Sequence, residues 1–164
     1  MNLLIIIDLQ NEFINENTKW IIGEIDKLRL SAQYDSVIFT RFINRVDNPT
    51  YKIGWRGCMD KKSRELCIKP RAEDRVFDKT TYSAHNKDLA NYLEENHVEK
   101  MFLCGLDIDC CVLATAFDLF DAGYDVFILK DYVGCMQGNQ LKTAALEILA
   151  RNIGESKILV SVDT

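Results

Sequence analysis

The stretch that decides the fold is Gly105-Leu106-Asp107-Ile108-Asp109-Cys110-Cys111-Val112-Leu113-Ala114-Thr115-Ala116. An apolar run, Met101 to Cys104, enters it as a strand, a Gly-containing turn follows, and a helix leaves it. The turn delivers Cys111 into the first turn of that helix. A helix N-terminus carries unsatisfied N–H groups and a partial positive charge, so it favours a thiolate over a thiol. Cys111 is therefore a candidate nucleophile. The competing reading is a small buried side chain filling space under the helix.

The same strand-to-helix alternation recurs outward in both directions. Leu3 to Ile7, Ser36 to Thr40, Arg75 to Phe77, Val126 to Leu129 and Ile158 to Val162 also read as strands. Most are continuous apolar runs rather than alternating ones, as for strands buried on both faces. Helices are expected near Trp20–Ala32, Lys87–Asn96, Val112–Ala122 and Gln140–Arg151, with Gly123 and Gly154 as C-terminal stops. Repeated β-α units of this kind imply an α/β fold, a parallel sheet covered by helices on both sides. At 164 residues the chain reads as one domain over 1–164.

Composition narrows the function classes. With 48% hydrophobic and 27% charged residues the chain is an ordinary globular protein, and its formal charge of −5 argues against nucleic acid or an anionic membrane as partner. There is no basic run interleaved with aromatic residues. The opening Met1-Asn2-Leu3-Leu4-Ile5-Ile6-Ile7-Asp8 has no basic leader and stops at an aspartate, so it reads as a strand rather than a signal peptide. No apolar run has the length of a membrane span. A cytoplasmic protein is expected, with its six cysteines reduced. There is no CxxC pair, and His85 and His97 stand away from other ligand types, so no metal site is expected. A redox role for the vicinal pair Cys110-Cys111 is a weaker alternative.

Residues 42–74 break the pattern. They hold Pro49, Gly54, Gly57 and Pro70 without a sustained period, yet also Tyr51, Trp55, Met59 and Leu66. A segment of that length without regular structure is usually a functional cover. It is expected to fold over the C-terminal edge of the sheet.

Ligands of open α/β sheets bind outside the carboxyl ends of the strands. Asp8 follows the first strand, Lys79 the third, and Cys111 the fourth after its turn. Each has a plain alternative: a capped turn, a solvated charge, packing. Together they make a working set. A thiol needs a base within reach, which Asp8 supplies, and Lys79 would hold that aspartate charged. Backbone N–H groups in the turn before Cys111 would receive an oxyanion.

Three segments, Ile-Ile-Ile-Asp-Leu-Gln-Asn-Glu-Phe (5–13), Asp-Lys-Thr-Thr-Tyr-Ser-Ala (78–84) and Cys-Gly-Leu-Asp-Ile-Asp-Cys-Cys-Val-Leu-Ala-Thr-Ala (104–116), resemble the isochorismatase-like cysteine hydrolases. That family includes nicotinamidases, N-carbamoylsarcosine amidases and ureidoacrylate amidases. The resemblance spans nearly the whole chain and is weak only across about 42–74. It implies a three-layer α-β-α fold with a six-stranded parallel sheet in the order 3-2-1-4-5-6. It implies Asp8 as general base, Lys79 as its electrostatic partner and Cys111 as nucleophile. It also implies a cis peptide at Leu106–Asp107 and an oxyanion hole from the backbone N–H groups of Asp107 and Cys111. Gln10 and Phe13 match positions near the family's pocket.

The departures carry information too. Nicotinamidases hold an Asp/His metal cluster between the second and third strands, where this chain has no histidine. Isochorismatases proper lack the cysteine, so Cys111 favours C–N hydrolysis over vinyl-ether hydrolysis. Ile108 and His85 replace the family's usual threonine and phenylalanine. Arg41 and Arg56, with Trp55 and Tyr51, are candidates for binding a carboxylate and a flat amide.

The resulting expectation is a hydrolase of a small amide, carbamoyl or ureido bond acting through a thioester on Cys111. It needs no cofactor and its partner is a small-molecule substrate. The alternatives are a relative acting on a non-amide small molecule, or a catalytically silent binding protein on the same fold. Oligomers are common in the family, so assembly with further copies of the chain is expected.

Overall fold

The computed structural model describes residues 1–31 and 33–160. Its centre is a six-stranded parallel sheet in the order β3-β2-β1-β4-β5-β6. The strands are β1 (Asn2–Ile7), β2 (Ser36–Phe42), β3 (Arg75–Lys79), β4 (Lys100–Gly105), β5 (Asp125–Val133) and β6 (Ile158–Leu159). Four longer helices accompany them: α1 (Ile21–Arg29), α4 (Lys87–Glu95), α5 (Leu113–Asp121) and α6 (Asn139–Ile153). Between β2 and β3 lie two single-turn helices, α2 (Pro49–Lys52) and α3 (Lys61–Arg64).

The apolar run of β1 is continuous because both faces of that strand are covered. Leu3, Ile5 and Ile7 point into a core shared with Leu89 and Leu93 of α4, Ala116 and Leu119 of α5, and Leu149 and Ile153 of α6. Leu4 and Ile6 point the other way, against Ile21, Ile25 and Leu28 of α1 and Phe39 and Phe102 of the flanking strands. Every residue of β1 from Leu3 onward is fully buried. Each such side chain contributes roughly 1.5–3 kcal/mol of burial free energy, which makes β1 the spine of the fold.

The expected elements are found, with shifted ends. β2 runs to Phe42 and β3 to Lys79, so the two strands extend further towards the site than their apolar cores suggest. Helix α1 stops at Arg29, and the predicted end at Ala32 lies outside the described residues. The last strand is short, Ile158–Leu159, and the rest of its predicted span beyond Val160 lies outside the described residues. Among the described residues no helix is long and apolar enough to cross a membrane.

Chain direction across the sheet reverses at β1. The chain steps from β1 to β2 and β3 on one side, then returns to β4 on the other, opening a crevice at the carboxyl ends of β1 and β4. Gly105 closes β4 there at φ +111°, and a Cβ on it would lie 2.1 Å from the Ile7 carbonyl oxygen. Only glycine allows the two strand ends to run this close, with Leu106 N–H donating to Ile7 O at 2.9 Å.

Candidate active site

Asp8 is the first residue past β1, in the left-handed backbone region at φ +43°, which aspartate tolerates better than most residues. Its side chain is fully buried. Thr40 on the neighbouring strand donates its hydroxyl to Asp8 Oδ1 at 2.7 Å and accepts from Asp8 N–H at 3.1 Å. Lys79, at the end of β3, reaches past the end of β2 to place Nζ 2.7 Å from Asp8 Oδ2. Its remaining protons go to the carbonyls of Thr81 and Tyr82, both at 2.9 Å, and the ammonium lies 4.9 Å from the Phe42 ring centre. A buried ammonium is tolerable only when satisfied in this way. Asp8 and Cys111 raise the Lys79 pKa, outweighing the opposing effect of burial.

Cys111 approaches from the other side of the crevice. The turn after β4 is a π-helical turn, Ile108–Val112, in which Asp107 O accepts from both Cys110 N–H and Val112 N–H at 3.1 Å. A cis peptide joins Leu106 to Asp107. Two tethers fix this turn to its surroundings. Ile108 N–H donates to Gly134 O at 2.9 Å, and Met136 N–H donates to the Asp107 carboxylate at 3.0 Å. Helix α5 is in turn tied to the segment after Lys79 by Ala84 N–H donating to Thr115 Oγ1 at 3.0 Å. Asp8, Lys79 and Cys111 thus come from three strand ends, with Lys79 acting on both of the others.

The protonation of Cys111 departs from the sequence expectation. Hydrogen bonding to Cys110, burial, and the neighbouring Asp8 carboxylate push its thiol well above the ordinary value, and Lys79 opposes them only in part. A turn that starts a helix does not outweigh a nearby full negative charge and loss of water.

Above the cysteine lies a cavity of about 340 Å³. Its walls are Phe13, Phe42, Trp55, Ile53 and Tyr82, and its polar groups include Glu12, Thr50 and Gln137. Asp107, Cys110, Cys111 and Met136 complete the lining. Burial pushes the Asp107 carboxyl up to about 7, with Asp109 and Asp8 adding to the effect and the Met136 N–H opposing it. Phe13 and Trp55 are parallel at 6.1 Å between centroids, and Phe42 meets Trp55 edge-on at 5.7 Å. Segment 42–74 supplies Thr50, Ile53 and Trp55, and so forms the expected cover, with two short helices where no regular structure was expected.

Phe13 and Trp55 therefore stand in the cavity as expected, but Gln10 and Arg41 do not. Gln10 is fully buried, and its amide holds the cover in place. Nε2 donates to Phe42 O and Arg64 O at 3.0 Å, and Oε1 accepts from Phe42 N–H at 2.7 Å. No polar atom is left for a substrate. Arg41 faces Asp78 in the β2–β3 register and makes a paired contact with it at 2.7 and 3.0 Å. Arg56 stacks on Tyr51 and donates to the Tyr51 and Trp55 carbonyls, bracing the cover. Sequence reasoning missed Glu12, Phe42, Thr50, Ile53, Tyr82, Met136 and Gln137 as cavity residues. Tyr82 and Glu12 lay inside segments already singled out, and only their neighbours were assigned. Among the described residues no group of three or more His, Cys, Asp or Glu side chains is gathered to hold a metal ion.

A buried carboxylate, a lysine and a cysteine gather at the switch point of a 3-2-1-4-5-6 sheet. Residues 2–156 match the isochorismatase domain model, and the chain belongs to that family. Among curated proteins it is similar to isochorismatase family protein 2A of Dictyostelium discoideum, 39% identical over 71 residues, 42% of this chain and 36% of that protein. It is also similar to the nicotinamidase of Saccharomyces cerevisiae, 34% identical over 64 residues, 35% of this chain and 30% of that protein. The matched stretches span well under half the length of these relatives. Among solved structures, N-carbamoylsarcosine amidase from Thermoplasma acidophilum superposes with a TM-score of 0.79 at 26% identity, covering 92% of this chain and 91% of that one. An isochorismatase-like hydrolase from Alkaliphilus metalliredigens shares the fold with a TM-score of 0.83 at 19% identity, covering 92% and 91%.

Proposed function

We propose that this chain is a cysteine hydrolase that cleaves the C–N bond of a small amide, carbamoyl or ureido compound through a thioester on Cys111. The observation that carries the reading is the convergence of Asp8, Lys79 and Cys111 from three strand ends, with Cys111 lining one cavity. The family, and the chain's similarity to the N-carbamoylsarcosine amidase and the yeast nicotinamidase, support it.

The steps follow from the charges. Substrate binding brings a carbonyl carbon to the Cys111 sulfur. The thiol proton passes to Asp8 as the S–C bond forms, so the nucleophile is generated only when its target is present. Negative charge moves to the carbonyl oxygen, where the backbone N–H groups of Asp107 and Cys111 receive it. One such donor lowers a barrier of this kind by about 3 kcal/mol. Asp8 then gives its proton to the departing nitrogen, and the C–N bond breaks to leave a thioester. Water, deprotonated by Asp8, attacks the thioester carbon, and the proton returns to sulfur as the S–C bond breaks. Lys79, with Nζ 2.7 Å from Oδ2, stays paired with the Asp8 carboxylate between these transfers.

The test is ammonia or amine release from a panel of small amides, carbamoyl and ureido compounds, with Cys111→Ala as control. Turnover by the parent and none by the variant supports the reading. Binding without turnover across the panel supports a silent binding protein, and turnover confined to non-amide compounds supports the other hydrolase reading.

A further inference from the structure

The cavity around Cys111 carries a charge pattern that bears on which substrates enter it. Glu12 lines it with a half-buried side chain and, among the described residues, has no hydrogen-bond or ion-pair partner. The space that admits this carboxylate exists because residue 57 is glycine. A Cβ there would lie 2.4 Å from Glu12 Oε1 and 2.2 Å from Trp55 Cζ2. Glu12 and the Trp55 edge therefore share one corner of the wall. Asp107 lines the same cavity, and among the described residues the lining holds no Lys, Arg or His.

Arg41, Arg56, Arg64 and Lys79 are each engaged elsewhere. Arg41 is held by Asp78, and Arg56 by the carbonyls of Tyr51 and Trp55. Arg64 donates to the carbonyls of Cys58 and Met59, within the cover. Lys79 has its protons committed to Asp8, Thr81 and Tyr82. The walls are aromatic, with Phe13, Trp55, Phe42 and Tyr82 in the lining. Aromatic faces beside a carboxylate stabilise a cation, whereas a carboxylate-bearing ligand would meet like charge with no donor fork to receive it.

We propose that the substrate of this cavity carries a protonated nitrogen, with Glu12 as the specificity-determining carboxylate. This rests on the hydrolase reading for the reaction, but not for the charge preference, which belongs to the cavity whether or not turnover occurs. The proposal also excludes the carboxylate-bearing ligand that the arginines of the cover suggest from sequence.

Charge-matched thiol reagents test it without requiring turnover. The protein is treated with methanethiosulfonates bearing a trimethylammonium, a sulfonate or no charge, and modification of Cys111 is followed by fragment mass mapping that separates it from Cys110. In each case the cysteine sulfur bonds the reagent sulfur and methanesulfinate leaves. Relative to a free uncharged thiol, the cationic reagent should outpace the anionic one by at least about tenfold at low salt. Glu12→Gln should lower that ratio several-fold, and in the parent about 0.5 M salt should compress it. The salt result stands even if the variant fails to fold. A ratio near one, a ratio unmoved by Glu12→Gln in a folded variant, or no reaction at Cys111 with any reagent overturns the proposal. A retained cation preference with no amide turnover removes the hydrolase reading alone, and preferred turnover of carboxylate-bearing amides removes this inference alone.

Discussion

The Lys79 ammonium stands 2.7 Å from the Asp8 carboxylate, with both side chains out of water and contributed by strands separated by β2. The contact joins the fold to the site, because it depends on the sheet order and on the length of β3. Removing one partner strands the other. Asp8→Asn should destabilise the protein by about 3 kcal/mol in urea denaturation, since a buried ammonium keeps only carbonyl partners. Adding Lys79→Met should recover most of that loss, while neither variant turns over substrate. An Asp8→Asn protein as stable as the parent would contradict the account of the pair.

The raised Cys111 pKa gives a kinetic signature. Iodoacetamide alkylation of Cys111 in the resting protein should show an apparent pKa above the free-thiol value of about 8.5. Hydrogen bonding to Cys110, burial and Asp8 are the causes, so Asp8→Asn should move the profile down, leaving Lys79 as the dominant charge. A profile that moves up, or stays in place, would show that Asp8 does not act on this sulfur.

Asp107 makes stability pH-dependent in a defined direction. Its carboxyl is raised from 3.8 to about 7 by burial, with Asp109 and Asp8 contributing, so the folded state binds this proton more tightly than the unfolded state. The associated stability is fully present below pH 3.8 and is lost as pH rises to about 7. Asp107→Asn keeps an acceptor for Met136 N–H and removes the titration. In thermal unfolding it should exceed the parent by about 1–3 kcal/mol at pH 8, with the difference closing near pH 4.

Gln10 and Arg41 should separate cleanly. Gln10→Ala leaves buried backbone groups of Phe42 and Arg64 without partners and should cost about 2–3 kcal/mol. It should also expose the 42–74 cover to limited proteolysis. Arg41→Ala removes a half-exposed ion pair worth under about 1 kcal/mol and should leave turnover within about twofold. A large rise in KM for Arg41→Ala would return that residue to the site.

Much of this arrangement was legible in the sequence, and the reasons for the misses are specific. Asp8, Lys79 and Cys111 could be placed because strand ends are readable from apolar runs, and a parallel sheet gathers its carboxyl ends. The cover could be anticipated from its composition, but its attachment could not. The bridge between Gln10 and Leu66 and the Gln10 bonds to Phe42 and Arg64 link residues 32 to 56 positions apart. Arg41 looked free because its partner Asp78 is adjacent only once β2 and β3 are in register. Met136 and Gln137 enter the cavity through the turn after β5, which approaches Asp107 only in three dimensions.

The central claim is that Cys111, and not its neighbour Cys110, is the nucleophile. The most direct measurement compares ammonia or amine release by the parent, Cys111→Ala and Cys110→Ala on the best substrate of the amide panel. All three must first be shown to be folded, by circular dichroism and a cooperative thermal transition. The account predicts that Cys111→Ala loses at least about a thousandfold in kcat, while Cys110→Ala retains turnover. Equal loss in both variants, or parent-like release by Cys111→Ala, would contradict it.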